Sequence, residues 1–149
     1  MRAVLQRVSR ARVKVRGKVI GEIGPGFLIL LGVEEGDTEE DLAYLLKKTS
    51  EVRIFPDDRG RFNLTPKEVG AEMLVVSQFT LLGDCRKGRR PNFSAAAHPD
   101  EAKALYQEYV AGLRELGFKV QEGEFAAYMQ VELVNDGPVT LLLDSRRRF

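Results

Sequence analysis

The sequence predicts an α+β fold: one β-rich, barrel-like domain over residues 1–149, with two main helices packed outside it. Three observations predict it. Polar–apolar alternation of period two opens the chain, and strand-like stretches close it. A short continuous apolar run between them suits a buried strand. Only two stretches have helical apolar spacing, and they do not alternate one for one with strands as a doubly wound sheet requires.

In chain order, "VLQRVSRARVKV" sets Val13 and Val15 between Arg12, Lys14 and Arg16, a strand with one polar face. "GKVIGEI" continues as a second strand after a Gly17–Lys18 turn, and "IGPG" (23–26) is another turn. "FLILLGV" (27–33) is the buried strand. The first helix follows. Asp37 or Thr38 caps it, Glu39, Glu40 and Asp41 suit its first-turn dipole, and Leu42, Leu45 and Leu46 form its apolar face. "VRIF" (52–55) reads as a short strand and "PDDRGRFN" as a turn. "EMLVVSQFTLL" (72–82) reads as a strand leading into a long irregular loop, "GDCRKGRRPNFSAAA" (83–97). The second helix runs from about Pro99 to Leu116, with Pro99 in its first turn and Gly117 as its stop. "FKVQEG", "FAAYMQVELV" and "PVTLLLDS" are strand-like, giving about eight strands. Asn135, Asp136 and Gly137 between two apolar runs signal a β-hairpin over 133–143. Pro138 is awkward there, because it has no N–H for the first rung of the returning strand. Either that strand is an edge or the turn presents something.

Composition excludes several function classes. No apolar run is long enough to span a bilayer, and "MRAVLQRVSR" lacks the apolar core of a secretion signal. Cys85 is the only cysteine, so no internal disulfide forms, which suits a cytoplasmic location. Net charge is +1, yet basic residues cluster at 2–18, 86–90 and 146–148, while acids gather at 34–41. Such local patches are compatible with one anionic ligand; as single clusters they equally describe solvated faces.

His98 is the only histidine, so a His/Cys metal site within one chain has too few ligands, and any imidazole triad has one candidate. His98 precedes a proline at a helix start, where an N-cap is its better use. "GPG" (24–26) leads into a strand, not a helix, so it is no dinucleotide fingerprint, and there is no P-loop. An enzyme built from this inventory works without metal, cofactor or imidazole. Hydroxyls, amides and backbone N–H groups remain, and these build oxyanion holes for acyl transfer. The candidate stretch is "VVSQFTLLGD" (75–84), which sets Ser77, Gln78 and Thr80 around Phe79. Spacing alone favours a local turn there over a pocket lining.

"SQFTL" (77–81) and "NDGPVT" (135–140) together resemble the two signature motifs of the D-aminoacyl-tRNA deacylases, and the similarity runs over the whole chain. It includes "LQRVSRARVKV", "GEIGPGFLILLGV", "VRIFPDDRGRFNL", the "RRPNFS" loop and "MQVELVNDGPVT"; Asn92 stands where the family pattern gives serine. The resemblance implies a homodimer that hydrolyses the ester of D-aminoacyl-tRNA at the acceptor end, with action on mischarged glycyl-tRNA as a further expectation. It implies that Ser77, Gln78, Phe79 and Thr80 form the catalytic floor, with N–H groups around Phe79 and Thr80 holding the carbonyl oxygen and the tRNA 2′-hydroxyl assisting attack. It implies that Gly137–Pro138 is a Gly–cis-Pro motif, inserted into the other subunit's pocket to reject L-amino acids sterically. Arg7 is then a brace for that turn, and Phe125 and Met129 are walls of the adenosine pocket. Residue type alone leaves Arg7 as a solvated strand residue and the other two as core. The basic 86–90 loop and the N-terminal strand become candidates for phosphate contacts. Two other readings stand beside this one: a non-catalytic RNA-binding barrel, disfavoured by 8% aromatics and no tryptophan, and a dimeric small-molecule binder.

Overall fold

The structure is a computed structural model describing residues 1–149. Its organising element is β1 (Arg2–Val15), which pairs antiparallel with β2 (Lys18–Ile23) along its C-terminal half and with β3 (Gly26–Gly32) along its N-terminal half. β8 (Gln130–Asp144) runs antiparallel along nearly all of β1. β6 (Glu72–Ser77) joins β3 in parallel, and β7 (Val120–Glu122) joins β6 in parallel. A two-stranded ribbon, β4 (Phe55–Pro56) and β5 (Phe62–Leu64), stands apart. The main sheet curls into a nearly closed barrel-like surface, with α1 (Glu39–Glu51) and α2 (Pro99–Glu115) against one face.

The curl follows from a bulge in β1. Ala3 and Leu5 belong to the core under the helices, whereas Val8, Ala11 and Val13 belong to a second core with Leu28, Leu74 and Val76. Period-two alternation cannot keep Ala11 on the face opposite Leu5 unless a residue is inserted. The insertion is Ser9: Val8 pairs with Asn135 and Arg10 with Val134, so two steps on β1 match one on β8. The strand changes phase there, and its C-terminal half faces the barrel interior. Level with the bulge, where Gly26 pairs with Val8, β3 and β6 meet so closely that a β-carbon on Gly26 would overlap the Glu72 backbone.

Both helices are built as their sequences direct. Thr38 caps α1 and Asp41 returns the capping box to the Thr38 N–H; His98 Nδ1 accepts from the Asp100 amide at the start of α2. Tyr109 is fully buried and its hydroxyl hydrogen-bonds Thr49 at 2.7 Å, tying the helices together. No helix is long and apolar enough to cross a membrane.

Four segments differ from expectation. The first turn is Arg16–Gly17, one residue earlier than predicted, with φ of 50° and 75°. Residues 52–54 are not a strand; pairing begins at Phe55. The strand expected over 72–82 ends at Ser77. The hairpin expected over 133–143 is absent: β8 continues in one direction from Gln130 to Asp144, and the turn formers lie in an excursion from it.

One end of the sheet is closed by charge. The Met1 ammonium lies 2.7 Å from both Asp37 Oδ2 and Ser145 Oγ, and Ser145 donates to Asp41 at 2.6 Å. Arg148 binds Glu34 through both Nη atoms and Asp144 through Nε at 2.8 Å. The Arg148 hydrogen bonds are the main reason that the Glu34 carboxyl sits below its ordinary 4.5; desolvation opposes them and Arg146 assists. Burial alone would raise Asp144, but Arg148 and the Arg146 amide outweigh it, so it too is depressed. Folded values below the ordinary ones mean stability that is full above the carboxylate range and lost as pH falls through it. The urea midpoint is expected to drop between about pH 5 and about pH 2, and E34Q/D144N, less stable at neutral pH, is expected to show a flatter acid limb.

Candidate active site

The 77–80 segment is placed by the end of β6. The Gln78 amide donates to the Leu31 carbonyl at 2.7 Å, which is the last bond of the parallel ladder. The chain then turns into a 3-10 helix over Phe79–Leu82. Leu82 causes the turn to close, since it is 3% exposed and packs against Gly32, where a β-carbon would meet it at 2.7 Å. Arg2 Nη1 holds the turn from β1 by donating to Leu81 O at 2.9 Å. Phe79 and Thr80 are therefore outward and exposed, and strand alternation does not describe their side chains. Phe79 rests edge-on against Phe93, with ring centroids 5.2 Å apart.

A helical turn leaves its first N–H groups without internal acceptors. Here those groups belong to Phe79 and Thr80, and Gln78 supplies no side-chain cap. The Gln78 Nε2 donates instead to Thr80 Oγ1 at 3.0 Å. The segment thus offers two backbone donors and a pinned hydroxyl beside half-buried Ser77. No group of three or more His, Cys, Asp or Glu side chains is arranged to hold a metal ion.

The second motif is an excursion from β8. Gln6 pairs with Thr140 and Val8 with Asn135, so Arg7 alone faces the four residues 136–139. Asn135 closes the excursion: its Oδ1 accepts from the Val139 amide at 3.0 Å, and its Nδ2 donates to Val139 O at 3.0 Å and Arg7 O at 3.3 Å. Gly137 has φ +141°, and a β-carbon there would meet Val139 Cγ2 at 2.7 Å, so both conformation and space require glycine. The Gly137–Pro138 peptide is cis. Pro138 lies off the ladder, so its missing N–H costs no rung.

Arg7 is 8% exposed. Its Nε donates to Asp136 O at 3.0 Å, its Nη1 donates to Ile54 O at 2.7 Å, and the guanidinium lies 5.5 Å from the Phe62 ring centroid. Phe125 and Met129 lie on the 123–129 connection, which is not strand as expected; Ala126 turns it with φ +63°. The connection hangs on Val75, whose carbonyl accepts from the Gly123 amide at 3.0 Å and from the Tyr106 hydroxyl at 2.9 Å. Phe125 packs on Tyr106, and Met129 packs on the second core.

Within one chain the two motifs stay apart. The strand order β6–β3–β1–β8 separates them by three ladder steps, about 14 Å. Ser77 is level with Ala3 and the excursion is level with Arg7, which adds about 13 Å along the strands. None of the four principal clefts is lined by 77–80; one, of about 270 Å³, lies between Arg10, Arg12, Glu22 and Glu132. Sequence reasoning missed Asn135 as the clamp, reading it only as a turn former, and missed Phe93 as the support of Phe79, for which no local signal exists.

Comparison with known proteins gives the family. The model of a family described as D-Tyr-tRNA(Tyr) deacylase matches residues 4–144. A protein of Thermosipho africanus named D-aminoacyl-tRNA deacylase is 56% identical over 149 residues, covering all of both chains. One of Dehalococcoides mccartyi with the same name is 58% identical over 149 residues, covering all of this chain and 97% of the other. Among solved structures, one described as c-Myc DNA Unwinding Element Binding Protein superposes with TM-score 0.91 at 38% identity, covering 97% of this chain and 98% of that one. A second, described as a probable eukaryotic D-amino acid tRNA deacylase, gives TM-score 0.82 at 18% identity over 96% and 98%, a likeness of fold.

The Asn135 clamp can be tested without any substrate. Asn135→Ala removes the acceptor of the Val139 amide, whose hydrogen exchange is expected to speed up about 10-fold or more, the equivalent of at least ~1.4 kcal/mol. The amide of Leu5, in the β1 ladder, is expected to keep its protection.

Proposed function

The chain belongs to the D-Tyr-tRNA(Tyr) deacylase family, and from that premise we propose that it hydrolyses the ester between a D-amino acid and the terminal adenosine of tRNA, releasing both. The full-length family match, with both motifs present, is the observation that carries this reading.

In the proposed mechanism the ester carbonyl lies over the start of the 3-10 turn. The Phe79 and Thr80 N–H groups point at the oxygen, which becomes negative when water adds to the carbon. The donors are fixed by the Leu31 and Leu82 contacts before substrate arrives, so little reorganisation is needed as charge develops. The 2′-hydroxyl of the terminal adenosine assists the attack, and the C–O bond to the 3′ oxygen breaks. No metal or cofactor enters this scheme. Ser77 and Gln78 shape the floor, with Gln78 holding the Thr80 side chain. Phe125 and Met129 wall the adenosine.

Chirality is set by a second subunit. In a homodimer, Gly137–Pro138 of one protomer enters the pocket of its partner and presents carbonyl oxygens to the substrate α-carbon. An L side chain collides with them, and a D side chain points to solvent. Two features support completion in trans: the motifs are far apart within one chain, and Gly137 and Pro138 are exposed. Arg7 holds the inserted turn in shape. Because the filter reads handedness and not side-chain identity, many D-amino acids are substrates, and glycine, lacking a side chain, also passes. The reaction is chiral proofreading of the cytoplasmic tRNA pool.

Paired deacylation of D-Tyr-tRNA and L-Tyr-tRNA, with and without EDTA, tests the reading. Fast loss of the D-ester alone, unchanged by chelation, is expected. Hydrolysis of neither ester, with tRNA still bound, would leave an RNA-binding barrel as the better account. Thr80→Ala is expected to keep kcat within about 10-fold of the parent, because the backbone supplies the donor; a loss of about 1,000-fold or more would make the hydroxyl the nucleophile.

A further inference from the structure

The structure sorts the basic residues into those committed to the fold and those left free. Arg2 and Arg7 are bound to backbone carbonyls, and Arg12 and Lys14 both pair with Glu132, at 2.5 and 2.9 Å. The C-terminal Arg146 and Arg148 are taken by Glu34, Asp37 and Asp144. The N-terminal strand, a candidate for phosphate contacts on sequence, has thus committed the side chains of Arg2, Arg7, Arg12 and Lys14 to the fold, and Arg10 alone of its cations is exposed and unpaired. In the 84–92 loop, Arg86 is likewise held by Asp84, at 2.7 Å. The other three cations of that loop, Lys87, Arg89 and Arg90, are exposed and have neither an ion pair nor a side-chain hydrogen bond.

The loop has a fixed root. Asp84 and Asn92 exchange two backbone hydrogen bonds, of 2.7 and 2.9 Å, which pin the loop ends together. Phe93, next to that root, packs on Phe79, and Gly83 lies so close beneath Phe93 that a β-carbon would meet the ring at 2.9 Å. The base of the loop is therefore attached to the same turn that offers the Phe79 and Thr80 N–H groups. Its apex at Gly88 is four residues from the root, a reach of at most about 14 Å.

We propose that Lys87, Arg89 and Arg90 form the docking surface for the acceptor arm of tRNA, gripping the phosphates of the nucleotides next to the terminal adenosine. This rests on the deacylase reading for the identity of the RNA. The contact is electrostatic and sequence-independent, as suits an enzyme that accepts many tRNAs. The Asp84–Arg86 pair belongs to the root: it orients the loop and contributes little net charge.

The test uses the full chain and an uncharged acceptor-stem minihelix ending in CCA. Binding is measured over a range of salt for the parent, for K87A/R89A/R90A and for R12A/K14A. The loop variant is expected to bind about 10-fold or more weaker, with the slope of log K on log salt reduced by about 2 to 3. R12A/K14A is expected to keep the parent slope, and R89K/R90K to retain most of it, because charge and not fork geometry does the binding. An unchanged slope in K87A/R89A/R90A, with an unchanged melting temperature, overturns the proposal. In D-Tyr-tRNA deacylation the loop variant is expected to raise KM with kcat held within about twofold; a fall in kcat with KM unchanged also overturns it. If the parent binds the minihelix through the loop yet hydrolyses no ester, the docking surface stands and the deacylase reading falls.

Discussion

A buried arginine with no carboxylate partner holds together three segments distant in sequence. The Arg7 guanidinium faces the Ile54 and Asp136 carbonyls and the Phe62 ring, and these alone replace the water it has lost. Hydrogen bonds to a charged group are worth about 1.5–3 kcal/mol each, and stranding the charge costs more. The β4–β5 ribbon and the 136–139 excursion therefore cannot move independently of β1. The shape of the Gly137–Pro138 turn is fixed from beneath by a charge.

The same strand carries the rest of the design. β1 is paired on both sides, so irregularities in it are transmitted across the sheet. The extra residue at Ser9 turns its C-terminal half into the barrel interior, and the three extra residues of β8 opposite Arg7 throw a loop outward. One irregularity makes the core close; the other makes a projection. The catalytic candidates need neither, because β6 ends on the far side of β3 and turns under the pull of Leu82. The projection and the 77–80 turn are thus built by separate parts of one sheet.

Local sequence carried the helices well. Thr38 with Asp41, and His98 with Pro99, state their helix starts within a few residues, and the structure follows them to within a residue or two. Local sequence misled where a ladder decided. Asn135–Asp136–Gly137 is strong turn chemistry, and a turn does form; whether the chain then reverses or resumes its course depends on β1, which is more than a hundred residues away. The 72–82 stretch is apolar enough to stay extended, and only Leu82 finding its place against Gly32 ends the strand at Ser77.

By itself, then, the sequence determined the α+β class, the two helices with their caps, the scarcity of imidazole and thiol, and the two motifs that carry the family likeness. These are properties of residue type and short-range order. Tertiary structure decided which charges are spent and which are free, which face each half of β1 presents, and how far apart the motifs lie. The last two depend on strand pairing between residues remote in the chain, and most of the spent charges on carboxylates that the fold brings in from afar, as Glu34 is brought to Arg148. A cation is neutralised by whatever carboxylate the fold brings within about 4 Å, and no spacing in the sequence specifies that partner. Arg12 and Glu132 meet only because β1 and β8 share a ladder.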